Sequence, residues 1–399
     1  MHQSTQRRTC RVVFLVGCIL PTLAVVAWAT YERLPTTAAA RLGVVERMLG
    51  IRVAAASVDT PIPGVVRCRD LQLANVETGE VVLTAALAHL HTEEPTPRVQ
   101  LSGVTVAESQ LTHLATSLHR TLEVDWPGSV SIELANVSWK DGGRSAASKL
   151  LAGRSLAITL ESTEQSGAIT GRRCTIDAGD NGPRVEVLRN RQMTPPTTRV
   201  ELDTAGQPVP ADWLVELGAL VIDGGEVATF AGRVEVVHAA DGTSGMLDGE
   251  FENVALAEAL NVPLNAVASF QNLKLHWQAG RMVSAEGDVV AEAGSMPGGL
   301  AQTLKHLYQT PQPGAHVANE ATLQFAWMGV TFRLADESLT LLPLSGAEQN
   351  ACILGSNLQV LFGCPDRLAP TPYIGTVLTH FGGDRGTQAA TRLPRTLQR

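Results

Sequence analysis

Aromatic side chains are scarce in this chain, at 4% of 399 residues. Phe, Tyr and Trp bury more area each than other side chains. The core must therefore be assembled from Leu, Val, Ile and Ala, which builds a thin or elongated body more readily than a dense globule. Charge is also sparing: Asp, Glu, Lys and Arg make up 18%, against 44% hydrophobic residues. Disorder needs the reverse, low hydrophobicity with high charge, so most of the chain is expected to fold, with length for more than one domain. A basic excess is missing too. At a formal net charge of -8 and with no concentrated cationic face, nucleic acid is excluded as a partner.

Catalytic signatures are lacking in the same way. Neither GxGxxG nor GxxxxGK[ST] occurs, and there is no GxSxG, HExxH, SxxK or CxxC. Gly242-Thr243-Ser244-Gly245 is too short for a nucleophile elbow. His89-Leu90-His91, followed by Glu93 and Glu94, is the best metal candidate, because residues i and i+2 of a strand share a face. A solvated strand end accounts for the same residues without an ion. Asp223, Asp241 and Asp248 lie beside glycines, where turn chemistry explains them, and Lys274 with His276 reads as a solvated strand face. The expectation is a non-enzyme without a cofactor.

What the sequence does carry begins at the N-terminus. Arg7, Arg8 and Arg11 precede Val12 to Tyr31, an apolar run with no charge until Glu32. About 20 helical residues at about 1.5 Å each match the hydrocarbon thickness, and the arginines place residues 1–11 in the cytoplasm by the positive-inside rule. The expectation is a single-pass inner-membrane anchor over residues 12–31, with the bulk exported to the periplasm. Two other readings stay open: a cleaved signal peptide ending at Ala27-Trp28-Ala29, and a lipoprotein signal at Leu15-Val16-Gly17-Cys18. Residues 32–50 read as a juxtamembrane helix, with Leu42, Val45, Met48 and Leu49 on one side and Gly50 as its stop.

Beyond residue 50, period-two alternation dominates. Val130, Ile132 and Leu134 alternate with polar neighbours, as do Leu156, Ile158 and Leu160, Val234 and Val236, and Leu273, Leu275 and Trp277. This is antiparallel sheet with one face solvated. Strand, acidic Gly-containing turn and strand recur at Glu77-Thr78-Gly79-Glu80, Lys140-Asp141-Gly142-Gly143 and Asp223-Gly224-Gly225-Glu226, which suits a long meander. Short helices are expected at Glu108 to Leu122, Ala211 to Glu216, Ala255 to Leu260 and Gly299 to Leu307. The chain divides into β-rich regions at 51–200 and 201–364, with a disordered tail at 365–399. Export would permit a disulfide between Cys352 and Cys364, whose spacing suits a hairpin; free buried thiols are the other reading.

The basic anchor, the helix ending at Leu49-Gly50, the strand entered through Pro63-Gly64-Val65-Val66 and the phrase Leu71-Gln72-Leu73-Ala74-Asn75-Val76-Glu77-Thr78-Gly79-Glu80 together resemble the AsmA-like group of bacterial envelope proteins. Later phrases, Val221-Ile222-Asp223-Gly224-Gly225 and Leu247-Asp248-Gly249-Glu250-Phe251, are similar in style. This group is related to the repeating β-groove lipid-transfer proteins. The resemblance implies a mostly β fold, an elongated, curved, groove-like antiparallel sheet behind a transmembrane helix. It implies handling of membrane phospholipid in outer-membrane maintenance, with envelope proteins as further partners. On that reading Leu273, Leu275, Trp277, Leu323, Phe325 and Trp327 are the candidates to face lipid. The competing reading is an envelope scaffold that binds proteins and carries no lipid.

Overall fold

In the computed structural model, the structure describes residues 13–32, 43, 46, 51–62, 64–76, 78–91, 96–107, 109, 121–123, 128–140, 152–165, 168–179, 181–216, 227–259, 263–302, 321–335, 338–344, 351–355, 360–363 and 369–370. The fold is mostly β, as the alternation requires. It divides into two compact units, Met1–Arg144 with Leu151–Cys174, and Ser145–Leu150 with Thr175–Arg399. The division falls within a strand, Ala168–Asp177, ahead of the boundary at residue 200 read from the sequence.

Among the described residues, no helix is long and apolar enough to cross a membrane. Leu15–Ile19 is a π-helix, closed by the Leu20 N–H on the Leu15 carbonyl, and the α-helix α1 is Leu20–Glu32, 13 residues. Pro21 explains the π turn: it has no N–H to continue the ladder, and the turn before it widens. Residues 13–32 are helical throughout, with the π turn inside the run, and the α-helical part after it reaches about 20 Å at about 1.5 Å per residue. The juxtamembrane helix expected at 32–50 lies outside the described residues except for Gly43 and Glu46, and so does the tail after Pro370.

In the first unit, β1 (Ile51–Ala54) and β2 (Ser57–Ile62) both pair with the long β3 (Val65–Asn75), followed by β4 (Val81–His91) and β5 (Arg98–Val106), all antiparallel. Of the turn expected at Glu77 to Glu80, the described residues Thr78, Gly79 and Glu80 lie between β3 and β4, with the Gly79 N–H on the Asn75 carbonyl. β5 then pairs in parallel with β6 (Val130–Ala135) and β7 (Ser138–Trp139), and β6 pairs antiparallel with β8 (Leu156–Gln165). A parallel pair needs a crossover connection, and Leu122 within it is buried at 2% exposure. Strand β9 (Ala168–Asp177) carries the chain onward.

The second unit is a ladder of β10 (Arg184–Asn190), β11 (Thr197–Asp203), β13 (Thr229–Ala239), β14 (Gly242–Ala255), β15 (Asn265–Gln278), β16 (Arg281–Pro297), β18 (Trp327–Ala335) and β19 (Ser338–Pro343), antiparallel throughout. Short strands β12 (Val209–Pro210), β17 (Thr322–Phe325), β20 (Ala351–Leu354), β21 (Val360–Gly363) and β22 (Ala369–Pro370) join its edges. Helices α2 (Asp212–Glu216) and α3 (Leu256–Ala259) fall inside the ranges the sequence predicts.

Register in this ladder is fixed from both faces. On one face a single row of directly opposed residues crosses seven strands with alternating sign: Arg184, Asp203, Arg233, Asp248, Lys274, Glu286 and Arg333. On the other face the next row is apolar: Val185, Leu202, Val234, Leu247, Leu275, Ala285, Leu334 and Leu339. A slip of one residue would exchange the two rows. A slip of two in one direction would set Asp203 against Glu186 and Glu235.

Long strands stay one-sided only because the alternation is reset within them. On β15 the inward residues are Ala266 and Ala268, then Leu273, Leu275 and Trp277, so the parity changes between them. The reset is a bulge in which Asn272 and Leu273 stand opposite the single Gly287, with Asn272 at φ 51°. β14 resets at Asn253, φ 58°, between inward Phe251 and Val254. Strand β3 of the first unit resets at Asp70, φ 51°, between Cys68 and Leu71, and β5 at Gly103, φ 62°. Asn, Asp and Gly are the residues that tolerate this left-handed conformation.

Candidate functional site

The candidate surface is the apolar face of the second unit, because five of the six residues expected to meet lipid lie on it. Leu273, Leu275 and Trp277 are 3%, 6% and 5% exposed. They are packed with Leu202, Phe230, Val234, Leu247 and Leu214 of α2 into one closed core. Leu323 and Phe325 belong to a second closed core with Ala266, Ala291, Met296 and Ile353. The two triads are thus on one side of the sheet but in different clusters, apart from Trp327.

Trp327 departs from the expected alternation. β17 ends at Phe325, and Ala326 turns out of it, donating its N–H to the Leu354 carbonyl at 2.8 Å. β18 then presents Met328 and Val330 to the core. Trp327 falls on the opposite, polar face, half-buried, its ring lying over Gly329 so closely that an added Cβ there would clash. Rings laid on glycines recur on the inner face. Phe325 covers Gly294, Trp277 covers Gly245 and Phe230 covers Gly249, each leaving no room for a Cβ.

Between the closed cores runs a half-closed strip that single-strand alternation does not single out. Phe230, Phe251, Phe270, Val289 and Val330 are opposed in one row across β13, β14, β15, β16 and β18. The row opens along its length: Phe230 is sealed and Phe251 buried, whereas Phe270, Val289 and Val330 are only half-buried. Phe270 packs against both cores. The strip continues onto β18 and β19 as the opposed pairs Val330 with Pro343, Phe332 with Leu341 and Leu334 with Leu339, all half-buried. Alternation at Val330, Phe332 and Leu334 was the available signal. Nothing within β16 marks Val289, whose part in the row depends on pairing.

Ion pairs cross the strands of the polar face. Arg199 reaches Glu235 at 2.9 Å and Glu201 at 3.4 Å, and Arg233 also holds Glu201. These arginines offset the direct opposition of Glu186, Glu201 and Glu235 across three strands. Asp288 ties three strands at the bulge, accepting from Asn272 Nδ2 at 2.9 Å and Thr331 Oγ1 at 2.5 Å.

In the first unit, the histidines weighed as metal ligands sit among cations: His89 opposes Arg67, and His91 opposes Arg98. Among the described residues, no three His, Cys, Asp or Glu come together to hold a metal. Arg67 forms a two-pronged pair with Asp59 at 2.8 and 2.7 Å, which holds the Asp59 carboxyl below its usual range. Arg98, with help from Gln100, does the same for Glu133. Cys68 and Cys174 are buried free thiols; burial raises the first and pushes the second up to about 12. Cys352 is disulfide-bonded and 1% exposed. Cys364, its expected partner, lies outside the described residues.

No family model, no curated protein and no solved structure matches this chain.

Proposed function

We propose that this chain is a non-enzymatic protein of the bacterial envelope, held at the inner membrane by its apolar N-terminal segment, that handles phospholipid on an elongated, groove-like sheet of the AsmA-like kind. The observation that carries the reading is the half-closed apolar strip Phe270, Val289, Val330, Phe332 and Leu334, flanked by closed cores. A closed core has no room for a ligand, and a fully open apolar face would aggregate. A strip that is partly covered can exchange its contact with water for contact with an acyl chain.

The N-terminal segment supports the membrane part. Apolar side chains are exposed around residues 13–31, including Phe14, Leu15, Leu23, Val26 and Trp28. Thr22 and Thr30 donate their hydroxyls to the carbonyls of Cys18 and Val26 at 2.6 and 2.7 Å. Polar groups satisfied within the segment are what hydrocarbon demands. The scaffold reading has its own observation, the closure of Leu273, Leu275 and Trp277.

A photo-crosslinking residue at Val330 of the full-length chain in cells tests the two readings. The lipid reading expects a phospholipid adduct by mass spectrometry, weaker when the probe stands at Leu275. A protein adduct with no lipid would overturn it in favour of the scaffold.

A further inference from the structure

We draw no further inference here: the strongest candidate, the cluster of Arg67, Arg69, His89, His91 and Arg98 on the polar face of the first unit, has its Arg67 and Arg98 guanidiniums already engaged by Asp59 and Glu133, and nothing in the structure points to a ligand for the rest.

Discussion

Deleting Asn272 should unfold the second unit, whereas replacing it should not. Asn272 is the extra residue that lets Ala266 and Ala268 share a face with Leu273, Leu275 and Trp277. Without it, one half of β15 must turn its inward set outward. If the C-terminal half turns, three side chains now at 3%, 6% and 5% exposure enter water. At about 1.5–3 kcal/mol for each fully buried side chain, the loss is roughly 5–9 kcal/mol. That is comparable with the whole stability of a domain, about 5–15 kcal/mol. Lys274 would also leave its place between Asp248 and Glu286. Asn272→Gly keeps the left-handed backbone at φ 51° and gives up one exposed hydrogen bond to Asp288, a loss of about 1 kcal/mol. Asn272→Val keeps the residue count but puts a β-branched side chain at that φ, for about 1–2 kcal/mol. Urea unfolding followed by far-UV dichroism should therefore rank wild type, Gly, Val and deletion in that order, with the deletion lacking a native baseline. A deletion variant within about 1 kcal/mol of wild type would refute the parity argument.

Other expectations follow from the polar rows and the cysteines. Lys274→Glu puts a third acid directly between Asp248 and Glu286 and should destabilise by about 1 kcal/mol; the loss should shrink in high salt, and a salt-independent loss would mean that the row matters through packing. Cys68 and Cys174 should resist iodoacetamide at mildly alkaline pH in the native chain and react fully in urea, because burial raises both thiols; rapid native labelling would show that the first unit opens readily. Alkylation without reduction should leave Cys352 and Cys364 unlabelled even in denaturant, and full labelling of both would exclude a bridge between them. The Glu133 carboxyl, held low chiefly by Arg98, should titrate below its ordinary range in an NMR pH series, and Arg98→Ala should raise it. Its contribution to folding is present above the unfolded-state pKa and is lost as pH falls through the lower folded-state value. An unmoved titration in the variant would mean that Gln100 and the local backbone dominate.

The sequence made the β class and several hairpins legible because a one-sided sheet prints its burial directly as period-two alternation. Leu273, Leu275 and Trp277 could be assigned to one face without any knowledge of their neighbours, and they do share it. The same rule failed at Leu323, Phe325 and Trp327, where a break at Ala326 changes the parity. Breaks of this kind have a signal of their own, an Asn, Asp or Gly at the point where the apolar phase shifts, as at Asp70, Asn253 and Asn272. Trp327 lacks one, since the turn there is made by β17 ending against β20. The apolar N-terminal run was equally legible in composition. Its helical geometry was not, because one proline decides whether the turns before it are α or, as at Leu15–Ile19, π.

Which inward residues are sealed and which are half-open could not be read from the chain, since it depends on what lies across each strand. Phe230 and Phe270 are the same residue type in the same row. Phe230 sits between Val209 and Phe251, over Gly232 and Gly249, and under Leu214 of α2, and it has no exposure at all. Phe270 lies between Phe251 and Val289, where the next residues are β-branched and the row is only half-buried. Coverage falls off along the row while apolar character does not. A scaffold whose sole need was a stable sheet would gain by placing polar residues where coverage ends, because half-exposed Val and Phe add little burial and invite association. The row keeps Val289, Val330, Phe332 and Leu334 apolar there instead. That retention, opposite a face of alternating charges, is the physical reason for placing the proposed ligand contact on β16, β18 and β19 rather than on the closed strand from Leu273 to Trp277.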